Sequence, residues 1–314
     1  MKRLVRIGGG SSGYTLLRAL KQHPFAITAV VNMFDSGGST GVLRDEFGVL
    51  PPGDIRRALA ALADGEHSEM LRNLFNYRFK EGGSVSGHSF GNLFLTALAS
   101  IYGSDLEGIR KASELLHVKG MVLPVSVDSS HIHAILADGT EIVGETNIDI
   151  PKHDGSKRIE RVFLEPSARI LPEAAAAIMA ADLIVMGPGD LYTSVIPNLL
   201  VDGMKEALAS TKGKTIIVCN LMTKWGETHG FSASDMVREL LRYSGLPRFD
   251  VAIVNTGVMS PQLLETYARG NQFPMRVDDA LTNLVGSVVA RDLVSDGDIA
   301  RHDGEKLATI IASL

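Results

Sequence analysis

Four glycine-rich turns, each set where an apolar run ends and a helical pattern begins, constrain this 314-residue chain most. They read Gly8-Gly9-Gly10-Ser11-Ser12-Gly13, Ser36-Gly37-Gly38-Ser39-Thr40-Gly41, Gly87-His88-Ser89-Phe90-Gly91-Asn92 and Gly187-Pro188-Gly189-Asp190. Glycine lets backbone N–H groups approach a ligand, and the helix start behind it presents the positive end of a dipole. One such turn is common in α/β proteins. Four together point to a crevice that holds phosphates, most simply a diphosphate.

Residues 4–7 form a short apolar run, 14–20 follow the first turn with helical spacing, and 27–33 read as a second buried strand. Helices are expected at 56–63 and 93–101, with a helical insertion over 66–79. From 122 to 149 the period changes: Ile132, Ala134 and Leu136 alternate with His131, His133 and Ile135, and Asp138-Gly139 is a hairpin turn. This predicts a β-ribbon excursion at about 121–165. Helix 172–180, strand 183–186, helix 197–209, strand 215–219, helix 234–243 and strand 251–254 then alternate strictly. Such alternation predicts a doubly wound, mostly parallel sheet. No linker or low-complexity tract intervenes, so residues 1–314 are expected to form one α/β domain.

Composition narrows the partners. A hydrophobic content of 45% with 21% charged residues suits an ordinary globular core. The net charge of −5 offers no general attraction to nucleic acid or to anionic membranes. No apolar stretch reaches the roughly 18 residues of a membrane span. Lys2-Arg3 leads directly into the first strand, unlike a signal peptide, and the expected location is the cytoplasm. The single cysteine, Cys219, excludes an internal disulfide and reads as a small buried hydrophobe.

Gly8, Gly10 and Gly13 fit the dinucleotide fingerprint Gly-x-Gly-x-x-Gly. An NAD site also needs an acidic residue closing the second strand; Asn32 stands there, Asp35 lies beyond it, and a further glycine turn follows at once. Gly87-His88-Ser89-Phe90-Gly91 matches the serine nucleophile elbow, yet the polar segment 80–86 precedes it where the elbow requires an apolar strand. Ser89 therefore reads as a helix start or an anion contact. Asp54, after Pro51-Pro52-Gly53, suits a helix N-cap. Asp35, Asp54 and Asp190 form a candidate Mg²⁺ set beside substrate phosphates, with Arg44, Arg56 and Arg57 offsetting the remaining charge. His131 and His133 share a strand face without a third ligand and read as a surface pair. Residues 223–229 follow a buried strand at the ligand-binding end of the sheet and form a candidate specificity loop.

Together with Gly48-Val49-Leu50-Pro51-Pro52-Gly53-Asp54-Ile55-Arg56, Gly187–Leu200 and Met222-Thr223 with Gly226-Glu227-Thr228, these turns resemble the gluconeogenesis factors. These are CofD-like bacterial relatives of 2-phospho-L-lactate transferase, and the resemblance spans essentially the whole chain. It implies a Rossmann-like three-layer αβα sandwich and a cytoplasmic protein that binds a UDP-sugar such as UDP-N-acetylglucosamine. It also implies a role in gluconeogenic growth, cell shape and wall synthesis, with regulatory protein partners and a homo-oligomer among the expectations. The ligand positions it implies are Gly9, Gly10, Ser11, Asp35, Gly37, Gly38, Asp54, Arg56, His88, Ser89, Asn92, Gly187, Gly189, Asp190, Thr193 and Thr223. Tyr267 and Arg301 match a tyrosine and an arginine that contact the ligand in nucleotide-sugar binders. On that reading the diphosphate lies across Gly9, Gly10 and the 187–190 turn, with Asp35 and Asp54 on the pocket floor. The alternative is a Mg²⁺-dependent transfer of a phospholactate-type group from a nucleotide carrier to a deazaflavin. Where the family carries two adjacent aspartates, this chain has Asp35-Ser36.

Overall fold

The computed structural model describes residues 1–314. In chain order its elements are β1 (Lys2–Ile7), α1 (Gly10–Leu20), β2 (Phe25–Val31), α2 (Gly38–Phe47), α3 (Pro52–Leu62), α4 (Ser68–Asn76), α5 (Phe90–Tyr102), α6 (Asp105–Leu115) and β3 (Met121–Pro124). There follow β4 (His131–Leu136), β5 (Glu141–Val143), α7 (Glu145–Asp149), β6 (Ile159–Glu165), α8 (Pro172–Ala180), β7 (Leu183–Met186), α9 (Ile196–Leu199) and α10 (Met204–Ser210). The chain closes with β8 (Lys214–Val218), α11 (Ala233–Ser244), β9 (Phe249–Asn255), α12 (Pro261–Ala268), β10 (Val285–Arg291) and α13 (Gly304–Ala312).

Seven strands form one sheet in the order β10-β9-β8-β7-β1-β2-β3, and every neighbouring pair is parallel. Parallel strands covered on both faces bury continuous apolar runs rather than alternating ones. Leu183–Met186 shows this, and Leu4–Ile7 is likewise buried at every position with Arg6 as its one charged member. Helices α1, α3 and α13 pack together as one covering layer; α8, α10 and α11 pack together as the other. In α1, Leu16, Leu17 and Leu20 are buried against the core, each stabilising by about 1.5–3 kcal/mol. The chain runs from β1 outward to β3, then returns to β7 on the opposite side of β1 and runs outward to β10. The order therefore reverses between β1 and β7, the place where open α/β sheets form a ligand crevice. No helix is long and apolar enough to cross a membrane.

The excursion is a three-stranded antiparallel ribbon, β5-β4-β6. Ile132, Ala134 and Leu136 face the core and their neighbours do not, as the alternation predicts. The ribbon begins later than expected, because residues 121–124 pair with β2 as the edge strand of the main sheet. The helix expected over 197–209 is two helices. Asp202 bonds instead to Ala168 and Ile170, and Gly203 takes φ +94°, which stops the first helix and starts the second. Asp54 is not an N-cap: α3 begins at Pro52, and the carboxylate leaves the helix to bond elsewhere.

Candidate functional site

Two of the four glycine turns meet at the switch point, the first after β1 and the fourth after β7. Arg6 fastens them together. It lies within β1, is 2% exposed, and its Nη2 donates to Gly9 O and Pro188 O, each at 3.0 Å. Burial lowers its pKa to about 10, against a raising contribution from Asp54. A charged residue inside the run Leu4-Val5-Arg6-Ile7 was a visible signal, since an arginine is rarely fully buried without partners.

The first turn is already satisfied. Gly9 N donates to Ser194 O at 3.1 Å, and Gly10 N donates to Asp54 Oδ1 at 3.0 Å. A Cβ on Gly9 would come within 2.9 Å of the Asp54 carboxyl carbon, so glycine is needed for that approach. Asp54 is 6% exposed and also accepts from Arg57 Nη1 at 2.6 Å. A side-chain anion thus takes the amide that a dinucleotide phosphate uses, and Gly9 N and Gly10 N are both already bonded within the chain. The next amides of α1, those of Ser11 and Ser12, have no carbonyl four residues back within the helix and begin the open cleft.

The expected single pocket is two adjoining clefts that share Gly10, Ser11, Asp190 and Ser194. The first, of about 320 Å³, brings together Ser11, Gly189, Asp190, Thr223, Tyr267 and Arg301. Tyr267 Oη accepts from Ala300 N at 3.1 Å and so positions the residue before Arg301. The Arg301 side chain is exposed and bonds to no other residue. Thr223 Oγ1 accepts from Phe273 N at 3.0 Å. Beneath them His302 is buried, donating from Nε2 to Cys219 O at 3.1 Å; burial lowers its pKa to about 4, so it is neutral.

The second cleft, of about 390 Å³, contains Asp35, Gly37, Gly38, Asp54, Arg56, Asn92 and Thr193. Asp35 and Asp54 therefore belong here and not on the floor of the first. Asp35 accepts from Gly37 N at 2.8 Å. Facing it is Glu145, carried in by α7, whose pKa rises to about 8 through burial first and then the Asp35 charge. Burial also raises Asp35. Sequence reasoning missed Glu145, because nothing local announces that α7 folds back onto the Ser36–Gly37 turn.

Arg56, His88 and Asn92 are brought together as a buried network. Arg56 Nε donates to Asn92 Oδ1 at 3.0 Å, Asn92 Nδ2 donates to Ser39 Oγ at 3.1 Å, and Ser39 Oγ lies 3.0 Å from His88 Nδ1. The network ties the second glycine turn to the third. His88, Ser89 and Gly187 line neither cleft. Ser89 is the N-cap of α5, accepting from Asn92 N at 3.3 Å, with no strand before it. His133 pairs with Glu141 at 2.9 Å on the ribbon, in keeping with a surface role.

The candidate Mg²⁺ carboxylates are not one set. Asp190 points instead into a group with Asp149 and Glu227, whose oxygens lie within 4.8 Å of one another. Lys224 Nζ sits among them, 2.9 Å from Asp190 and 2.9 Å from Glu227, and bonded to Asp149. Burial lowers the Lys224 pKa, but Glu227, Asp190 and Asp149 outweigh it and hold the ammonium charged. Glu227 is buried and also accepts from Tyr192 N at 2.8 Å and Thr193 Oγ1 at 3.1 Å.

Fold and site together define a doubly wound α/β protein with paired clefts at the carboxyl edge of its sheet, built on glycine turns. Residues 4–294 match the family model described as 2-phospho-L-lactate transferase CofD, and the chain belongs to that family. It is similar to the gluconeogenesis factor of Bacillus subtilis, 39% identical over 315 residues that cover 99% of this chain and 98% of the relative. The gluconeogenesis factor of Halalkalibacterium halodurans is 41% identical, covering 99% and 95%. Crystal structures of a Bacillus halodurans protein, 40% identical, superpose with a TM-score of 0.93 over 99% of both chains.

Proposed function

We propose that this chain is a cytoplasmic gluconeogenesis factor that binds a nucleotide sugar, of the UDP-N-acetylglucosamine type, in the first cleft. In that role it regulates carbon metabolism, cell shape and wall synthesis through partner proteins. The observation that carries the reading is the unpaired Arg301 guanidinium, set beside Tyr267 and across the cleft from the first-turn amides of α1. A free forked donor opposite open helix amides suits a diphosphate, with the Tyr267 ring available to the base or sugar.

The deazaflavin transferase reading needs an apolar slot beside the nucleotide. Of the 21 residues lining the second cleft only Ile150 is hydrophobic, and Asp35, Arg57 and Glu145 dominate it. This favours binding without group transfer to a flat acceptor. The test is calorimetric titration with UDP-N-acetylglucosamine, UDP-glucose, GDP and NAD. Binding of the UDP-sugars alone supports the proposal; binding of GDP with acceptor-dependent consumption of a nucleotide conjugate overturns it.

A further inference from the structure

We infer that Lys224 serves as a built-in cation at the junction of the two clefts, taking the position a divalent metal would hold, so that ligand binding by this chain requires no Mg²⁺. The ligand half of this statement rests on the nucleotide-sugar reading above; the cation half does not.

Asp149, Asp190 and Glu227 come from three separate places: the end of α7 in the ribbon, the fourth glycine turn, and the loop after β8. Three carboxylates converging this closely repel one another, and a hard dication with oxygen ligands is the usual remedy. Here the ammonium of Lys224 pairs with all three, donating to Asp149 and Asp190 and lying 2.9 Å from Glu227. Glu227 could not be left alone. It is fully buried, and its oxygens are fixed by Tyr192 N and Thr193 Oγ1 in the turn that also lines the second cleft. Lys224 thereby holds Asp190 beside Gly189 and ties the ribbon to the sheet edge, which is what a bridging metal would do. Two of the three carboxylates of the expected Mg²⁺ set, Asp35, Asp54 and Asp190, are already engaged within the chain. Asp190 is taken by Lys224, and Asp54 is taken by Gly10 and Arg57.

The chain carries one tryptophan, Trp225, next to Lys224, so Tb³⁺ bound among the three carboxylates would be sensitised by it. The experiment titrates Tb³⁺ alone into the wild type, Lys224→Met and Lys224→Met/Asp190→Asn, reading Trp225-sensitised emission. The expected result is weak emission for the wild type, at least about tenfold tighter binding for Lys224→Met, and loss of that gain when Asp190 is also neutralised. Where Lys224→Met does not fold by circular dichroism, Lys224→Gln, whose amide still donates to Glu227, replaces it. Equal Tb³⁺ affinity in wild type and variant overturns the inference, as does a folded variant that gains none. In parallel, UDP-N-acetylglucosamine is titrated into wild type with Mg²⁺ and with EDTA. Equal affinity supports the inference and loss in EDTA overturns it. Failure to bind in either buffer would overturn the nucleotide-sugar reading alone, with the Tb³⁺ result still deciding the role of Lys224.

Discussion

The guanidinium of Arg6 fills the space where a side chain on Gly13 would begin: a Cβ there would lie 2.6 Å from Nη1 of Arg6. The third glycine of the fingerprint is thus required by an internal cation that braces two turns, independent of any cofactor. Gly13→Ala is expected to destabilise the fold by about 1–3 kcal/mol, the usual cost of overpacking, read as a lower urea midpoint. An unchanged midpoint would mean that Arg6 can move aside, and that its bonds to Gly9 and Pro188 do not fix the turns.

Arg301→Ala removes an exposed side chain with no internal partner, so stability should stay within about 0.5 kcal/mol. Its effect should fall on the ligand instead. Loss of a charge-assisted bond predicts roughly 10- to 100-fold weaker UDP-N-acetylglucosamine binding by calorimetry. Undiminished affinity would remove Arg301 from the site.

Asp54 bonds both Gly10 N and Arg57 across the junction of α1 and α3. Asp54→Ala leaves a half-buried amide and a half-buried guanidinium without their acceptor, and is expected to cost about 1–2 kcal/mol in urea unfolding. Asp54→Asn, which keeps one oxygen for Gly10, should cost less. Equal losses for the two variants would show that the Gly10 bond contributes nothing.

Glu145 titrates near 4.5 when unfolded and near 8 when folded, because burial and Asp35 disfavour its charge. Between those values the folded state holds a proton that the unfolded state lacks, so stability is fully present below about pH 4.5 and falls as pH rises toward about 8. Glu145→Gln should flatten this decline and be the more stable protein at pH 8, seen by comparing urea midpoints at pH 5 to 8. A parallel decline in both proteins would place the titrating group elsewhere.

His302 works in the opposite direction. Burial lowers its pKa from 6.5 to about 4, so it is neutral in both states above pH 6.5 and opposes folding as pH falls through that window. His302→Gln, which can still donate to Cys219 O, should retain more of its stability between pH 6.5 and 4. The measurement is the thermal midpoint of each protein relative to its own value at pH 7.

The parallel sheet was legible in the sequence, since buried strands such as Ile27–Val31 and Leu183–Met186 are dominated by apolar residues that local pattern reveals. The sequence by itself also determined the glycine turns at the strand ends and the alternating ribbon face around His131–Leu136, because turn chemistry and side-chain period are local properties. The first cleft is lined by the first and fourth glycine turns, whose chemistry is local, and by Tyr267 and Arg301, which only the family resemblance singled out. Only the tertiary structure decided which of these groups remain open to a ligand. Asp54 reaches 44 residues back to occupy Gly10, Lys224 gathers carboxylates from three separate segments, and Glu145 arrives opposite Asp35 through the fold of the ribbon. Those pairings join residues distant along the chain, and desolvation at the place where they meet sets their charge. No local pattern encodes either.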